Sequence, residues 1–300
     1  MALSLTYDRQ LVVGIALIPI LFTDIEQGMA STARLFSYFD LHPEVGYDNI
    51  TNTPEVWPSK GSVSVSDDIM AHTPRRRVSF QTLTLYMAPG EKILVIGERN
   101  ASKIYLVDNI LLLNESRQEV LVDEIALKLV NLQKARRVFS VVQREPFVFT
   151  ASLRTNLDPE GIHEDKELWS ALEAVQMKDY VQQLSRQLDY IMTQPSFFTY
   201  SQLVLLAIAR VLLQMRRIVI FDEIMSNVNL STLRIIRNVL KKQLGYCTVI
   251  TVEYKPISLE TVLCYDRVVV MEGGRIVEMD DPRALLERQD SLLSAFLMQS

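Results

Sequence analysis

Cysteine is scarce: Cys247 and Cys264 are the only two in 300 residues. Two isolated thiols make neither a disulfide framework nor a zinc site, and a reducing, intracellular setting is expected. Basic charge is not in excess either. The net charge is −5, with 31 Lys and Arg against 36 Asp and Glu, so no nucleic-acid-binding surface is expected. The clusters Arg75–Arg77 and Arg216–Arg217 read as solvated turns. An apolar run of roughly 20 residues, enough to cross a bilayer, is missing. Leu11–Phe22 is apolar throughout but well short of that length. A signal-peptide core can be this short, yet no small-residue cleavage site follows and the next charges are acidic. A stub of a longer membrane helix fits better, as does a buried helix kinked at Pro19. No internal repeat or low-complexity tract is present.

What is present is ordinary globular material. Apolar residues make up 48%, enough to core one large domain or two modest ones. Thr23–Phe39 has helical periodicity, with Ile25, Met29, Ala33 and Phe36 on one side. Asp40–Gly61 is rich in Pro, Gly and Asx residues and reads as a linker. From Ser62 onward strands alternate with helices. Ser62–Ser66, Val78–Tyr86, Ile93–Ile96, Val138–Val142, Ile218–Phe221, Thr248–Val252, Arg267–Met271 and Ile276–Glu278 read as strands. Ser102–Leu113, Asp165–Val175, Lys178–Leu184, Leu230–Gln243 and Asp281–Met298 read as helices, the last with Pro282 near its start. Leu203–Leu213 is hydrophobic nearly all round, which predicts a buried helix. This alternation predicts an α/β fold with a mainly parallel sheet, binding ligands beyond the carboxyl ends of its strands.

Two places carry chemistry. In Leu94–Tyr105, LVIGERNASKIY, an apolar run meets Gly97, and Ser102, Lys103 and Ile104 follow. A phosphate-binding loop reads G-x-x-x-x-G-K-[ST]. The first Gly and the Lys are kept; Ser102 stands for the second Gly and Ile104 for the Mg²⁺-binding hydroxyl. Taken alone, this segment also fits a strand–turn–helix with a surface Lys. Asp222-Glu223 ends a buried strand, where an Asp can hold Mg²⁺ and a Glu can polarise a water. The pair equally suits a helix start, where acidic groups complement the dipole.

The order of segments resembles the ATP-binding domain of ABC transporters, and more narrowly the second such domain of the multidrug-resistance-associated C subfamily. The resemblance rests on Ala2–Thr6, Met29–Tyr38, Trp57–Gly61, Pro89–Gly97, Gln143 with Glu145–Pro159, Leu168–Val181, Ile218–Glu223, Cys247–Val252 and Tyr265–Ser291. It implies a P-loop NTPase core with a parallel-rich sheet, an antiparallel β-subdomain, a helical subdomain at about 145–213 and a short N-terminal helical segment. Residues 1–39 would be a remnant of the last transmembrane helix with its cytosolic extension, 40–61 a linker and 62–300 the nucleotide-binding domain.

The resemblance also assigns roles. Gly97 and Lys103 match the Walker A motif, whereas Asn100, Ser102 and Ile104 depart from it. Gln143 matches the Q-loop glutamine that senses Mg²⁺ and the γ-phosphate. Asp222 matches the Walker B Asp, and Glu223 the catalytic base. The signature segment is Phe198–Gln202, with Thr199 and Gln202 retained, Tyr200 at a variable position and Ser201 in place of a Gly. Asn229 replaces the D-loop Asp, Tyr254 the switch His, and His72 the adenine-stacking aromatic. The implied cofactors are ATP and Mg²⁺. The implied partners are a second such domain, in a head-to-tail sandwich, and transmembrane domains. The implied location is the cytoplasmic face of a membrane, or the cytoplasm if the N-terminal segment does not insert. Left-handed strain at Ser102 would weaken nucleotide binding by about tenfold to a hundredfold. A degenerate domain with weak ATP binding and little or no hydrolysis is expected. An active ATPase domain of a drug or organic-anion exporter and a scaffold without nucleotide remain as alternatives.

Overall fold

The computed structural model describes residues 2–49, 53–66, 70–73, 76–79, 84–97, 101–113, 119–192, 198–254, 257–272, 275–288 and 290–298. Side chains of 2–6, 8, 10, 70–73, 76–79 and 101–105 are not described. The chain divides into two units, Met1–Val45 and Gly46–Ser300.

The first unit is one 38-residue helix, α1 (Ala2–Phe39). The segment expected to be short is therefore long, and the runs Leu11–Phe22 and Thr23–Phe39 are continuous. Pro19 sits inside the helix, and the Thr23 hydroxyl donates to its carbonyl at 2.8 Å. The proline contributes no backbone N–H to the helix, which nevertheless continues through it. Leu11–Phe39 is exposed throughout. By length and composition it is long and apolar enough to cross a membrane.

The second unit begins with the strands β1 (Val63–Ser66), β2 (Met70–Thr73), β3 (Arg76–Ser79), β4 (Leu85–Met87) and β5 (Lys92–Gly97). Then come α2 (Ala101–Ile110), β6 (Glu119–Val122), β7 (Ile125–Ala126), α3 (Leu132–Arg136) and β8 (Phe139–Val142). Four helices follow: α4 (Leu153–Leu157), α5 (Asp165–Ala174), α6 (Lys178–Gln182) and α7 (Tyr200–Gln214). The chain closes with β9 (Ile218–Asp222), α8 (Leu230–Lys242), β10 (Thr248–Glu253), α9 (Leu259–Val262), β11 (Arg267–Glu272), β12 (Arg275–Asp280), α10 (Pro282–Glu287) and α11 (Leu292–Met298).

The main sheet has six strands in the order β12-β11-β5-β10-β9-β8, parallel except for the β11/β12 pair. An antiparallel sheet has the order β4-β1-β6-β7, and β2 pairs with β3 alone. Both faces of the parallel sheet are covered, which its near-continuous apolar strands require. Along β5, Leu94 and Ile96 face a core shared with α4–α8. Ile93 and Val95 face a second core shared with α2, β1, β4 and β6. The period-2 alternation of a strand sends neighbours to opposite layers.

Three local departures from expectation are seen. The helix expected over Asp281–Met298 is two helices, because the Glu278 carboxylate caps a second start: it accepts from the N–H groups of Leu292 (2.9 Å) and Leu293 (3.2 Å). The strand expected over Val78–Tyr86 splits between β3 and β4, and residues 80–83 lie outside the described residues. The later part of the linker-like stretch is tied down: Asp123 accepts from the N–H groups of Ser59, Lys60, Gly61 and Ser62. There Gly61 has φ +86°, and a Cβ on it would stand 3.0 Å from the Cβ of Arg217, so only glycine fits.

Candidate functional site

Parallel pairing lines up the strand ends. Val252 of β10 lies opposite Val95 of β5 and Asp222 of β9, and Val142 of β8 lies opposite Phe221. Gly97, Asp222 and Tyr254 therefore share the carboxyl edge of the sheet with the turn after β8. Connections on the two sides cover opposite faces, since α2 after β5 joins one core and α8 after β9 joins the other. Crevices at such edges are where open α/β sheets take ligands. Gly97 has φ +142°, a region that favours glycine, and α2 begins four residues later. Ser102, Lys103 and Ile104 lie in the first turn of α2, and Asn100 lies outside the described residues. His72 lies in β2 opposite Arg77 of β3.

The acidic pair is buried unevenly. Asp222 is half-buried, and burial raises its pKa, with Glu223 and Asp108 adding to the rise and Arg144 opposing it. Glu223 is buried, with φ +53°, an uncommon conformation for a non-glycine residue, while its N–H still donates to the Val252 carbonyl at 2.8 Å. Its Oε2 accepts from the Arg144 guanidinium at 3.1 Å. Its Oε1 has no hydrogen-bond partner among the described residues.

Arg144 is the residue that sequence reasoning missed. Gln143, matched to the Q-loop glutamine, is exposed and lines a groove of about 400 Å³ with Arg136, Phe147 and Arg210. Arg144, in the bend that follows β8, is the residue whose side chain meets Glu223. The signal available was slight: a cation next to the glutamine. The Tyr200 hydroxyl donates to the Arg144 carbonyl at 2.8 Å and so holds that turn against α7.

The signature-segment residues bond among themselves. Thr199 caps α7, and Gln202 reaches back to it: the Gln202 N–H donates to Thr199 Oγ1 at 3.3 Å, and the Thr199 N–H donates to Gln202 Oε1 at 2.8 Å. Ser201 meets Asn229, whose N–H donates to Ser201 Oγ at 3.4 Å. Asn229 in turn caps α8, accepting from the Thr232 N–H at 2.8 Å. Tyr254 is half-buried against the core shared with α2.

A second acid went unnoticed in sequence. Glu253 is fully buried at the end of β10, and burial pushes its pKa up to about 7 against the hydrogen bond from the Met225 N–H (2.7 Å). A Glu inside the apolar run Thr248–Tyr254 was the available sign.

The fit to a divalent cation can be read from the donors. One oxygen of Glu223 is already held by a guanidinium, and Ile104 supplies no oxygen. Among the described residues no group of three or more His, Cys, Asp or Glu could hold a metal ion. The residues present do not fit Mg²⁺. The frame of Gly97 and the start of α2 does fit a phosphate: the turn begins in a conformation suited to glycine, and a helix N-terminus attracts anions.

Comparison with known proteins places this geometry. The family model described as "ABC transporter" matches residues 80–226. Human "ATP-binding cassette sub-family C member 4" is 30% identical over 277 residues, 92% of this chain and 21% of that protein. Mouse "ATP-binding cassette sub-family C member 10" is 30% identical over 285 residues, 93% of this chain and 19% of that protein. The chain thus spans about a fifth of the length of these relatives. A solved structure, "Structure of a bacterial Atm1-family ABC exporter with ATP bound", superposes with TM-score 0.81 at 20% identity, over 92% of this chain and 47% of that one, and so shares the fold. The chain belongs to the ABC transporter family, carrying a P-loop NTPase-type nucleotide-binding domain whose sequence relatives lie in sub-family C.

Proposed function

We propose that this chain is a degenerate nucleotide-binding domain: it binds ATP weakly, hydrolyses little or none, and serves a transport assembly as a partner or regulatory module. The observation that carries this reading is the Arg144–Glu223 contact. A general base must offer its carboxylate to a water. Here one oxygen is engaged by a cation and the other is buried. Ser102, Ile104, Ser201, Asn229 and Tyr254 point the same way, since each replaces a residue with which the family handles phosphate, metal or the neighbouring domain.

Gly97, Asn100, Ser102 and Lys103 would hold the phosphates, through backbone N–H groups and one ammonium. His72 would stack on the base. Thr199, Ser201 and Gln202 would face the nucleotide of a second domain in a head-to-tail sandwich. Residues 62–300 form the domain in this reading, with the helical subdomain at about 145–213. Residues 1–39 end a transmembrane segment, which places the chain at the cytoplasmic face of a membrane. The length and apolar composition of Leu11–Phe39 support that placement.

Titrating ATP and measuring phosphate release tests the reading. Binding in the millimolar range that Lys103→Ala removes, without turnover, is the expected result. Turnover of about one per second that Glu223→Gln abolishes would overturn it in favour of an active ATPase domain. No binding at all would favour the scaffold alternative.

A further inference from the structure

We propose that Arg144 is a built-in cation of this site: it takes the place of a divalent ion against Asp222–Glu223, so that nucleotide phosphate is bound without metal. The nucleotide part rests on the proposed function; the displacement of metal does not.

Four observations carry it. The guanidinium meets Glu223 Oε2 at 3.1 Å and stands close enough to Asp222 to act on its charge. Its backbone is pinned by the Tyr200 hydroxyl at 2.8 Å, so its place is built into the fold. The Arg144 side chain is 39% exposed while that of Glu223 is only 5% exposed. One face of the cation is therefore sealed on the acid and another is open to a ligand. Arg carries five N–H donors in a planar fork suited to phosphate oxygens. Among the described residues, one of them is used on Glu223.

Charge balance explains why metal and Arg144 exclude each other. Asp222 and Glu223 present two carboxylates, with Asp108 nearby adding to the negative field. That field attracts one cation strongly. A divalent ion would have to displace a guanidinium that is covalently tethered and already paired, and it would find no hydroxyl at Ile104 to complete its shell. A phosphate meets the opposite situation: a fixed positive charge with free donors.

The test uses the full chain and two probes. ATP binding is measured in excess Mg²⁺ and in excess EDTA. Thermal unfolding is followed with and without low-millimolar Mn²⁺ and no nucleotide, for the natural chain, Arg144→Gln and Arg144→Lys. The expected result is ATP affinity that changes by less than about twofold on removing Mg²⁺. Mn²⁺ should leave the natural chain and Arg144→Lys unmoved, and raise the midpoint of Arg144→Gln by about 2 °C. A natural chain that binds ATP at least about tenfold more tightly with Mg²⁺ overturns the proposal. So does a natural chain that Mn²⁺ stabilises, or an Arg144→Gln variant that folds and ignores Mn²⁺. If ATP binds under neither condition, the nucleotide reading fails and the metal-free binding with it, while the Mn²⁺ comparison still decides whether Arg144 displaces metal. If Arg144→Gln does not fold, the natural chain's responses to EDTA and Mn²⁺ decide alone.

Discussion

The phenol of Tyr200, in the first turn of α7, donates a 2.8 Å hydrogen bond to the carbonyl of Arg144, in the turn after β8. It joins the helical layer to the turn that faces the acidic pair. Tyr200→Phe keeps the ring and removes the bond, leaving a half-buried carbonyl without this donor. The expected loss is about 0.5–1.5 kcal/mol in urea unfolding. A variant as stable as the natural chain would show that the bond does not hold the turn.

Thr199 and Gln202 form a capping box at the start of α7, whose middle is buried in the core. Thr199→Ala removes the cap and should destabilise by about 1 kcal/mol, whereas Thr199→Ser should stay near the natural value. Circular dichroism against denaturant reads both. Equal stability of the two variants would assign Thr199 no capping role.

Asp123 has φ +47° and gathers four consecutive N–H groups, from Ser59 to Ser62. Burial works to raise its pKa, but the hydrogen bonds from Lys60, Ser62 and Gly61 outweigh it and the net shift is downward. A depressed carboxyl stabilises the fold above its unfolded pKa of about 3.9, and this contribution fades as pH falls through the lower folded value. Asp123→Asn offers one acceptor oxygen instead of two and should lose about 1–3 kcal/mol at neutral pH. Below about pH 3 the two proteins should converge in stability. A constant gap down to acid pH would contradict the role of the ionised carboxylate.

Glu253 gives the opposite sign. Burial, countered in part by the Met225 N–H, pushes its pKa up to about 7 from an ordinary 4.5. Below the unfolded value both states are protonated and the group is neutral to stability. As pH rises from about 4.5 to 7 the unfolded chain ionises first, so folding weakens, by on the order of 3 kcal/mol at full extent. Glu253→Gln should remove this slope and be the more stable protein at pH 8. Parallel stability–pH curves for the two proteins would refute the raised pKa.

The alternation of apolar strands and helices specified a parallel-rich α/β layer structure, because β5, β9 and β10 are apolar on both faces and such strands must be covered twice. It also placed Gly97 and Asp222 at strand ends, since apolar runs stop there. The buried α7 was legible from its all-round hydrophobicity. The ends of elements were less so. The break between α10 and α11 depends on the Glu278 carboxylate of β12, a partner from another element that no local pattern reveals.

The site divides along the same line. Sequence by itself determined the family, the order of its segments and the presence of Ser102 and Ile104 on either side of Lys103, because these are facts of residue type and spacing. Tertiary structure alone decided that Arg144 meets Glu223. The contact joins residues 79 positions apart, one in the turn after β8 and one just after β9, and no local spacing reveals it. Tertiary structure also raises the pKa of Glu253, because its burial exists only after the strands have come together.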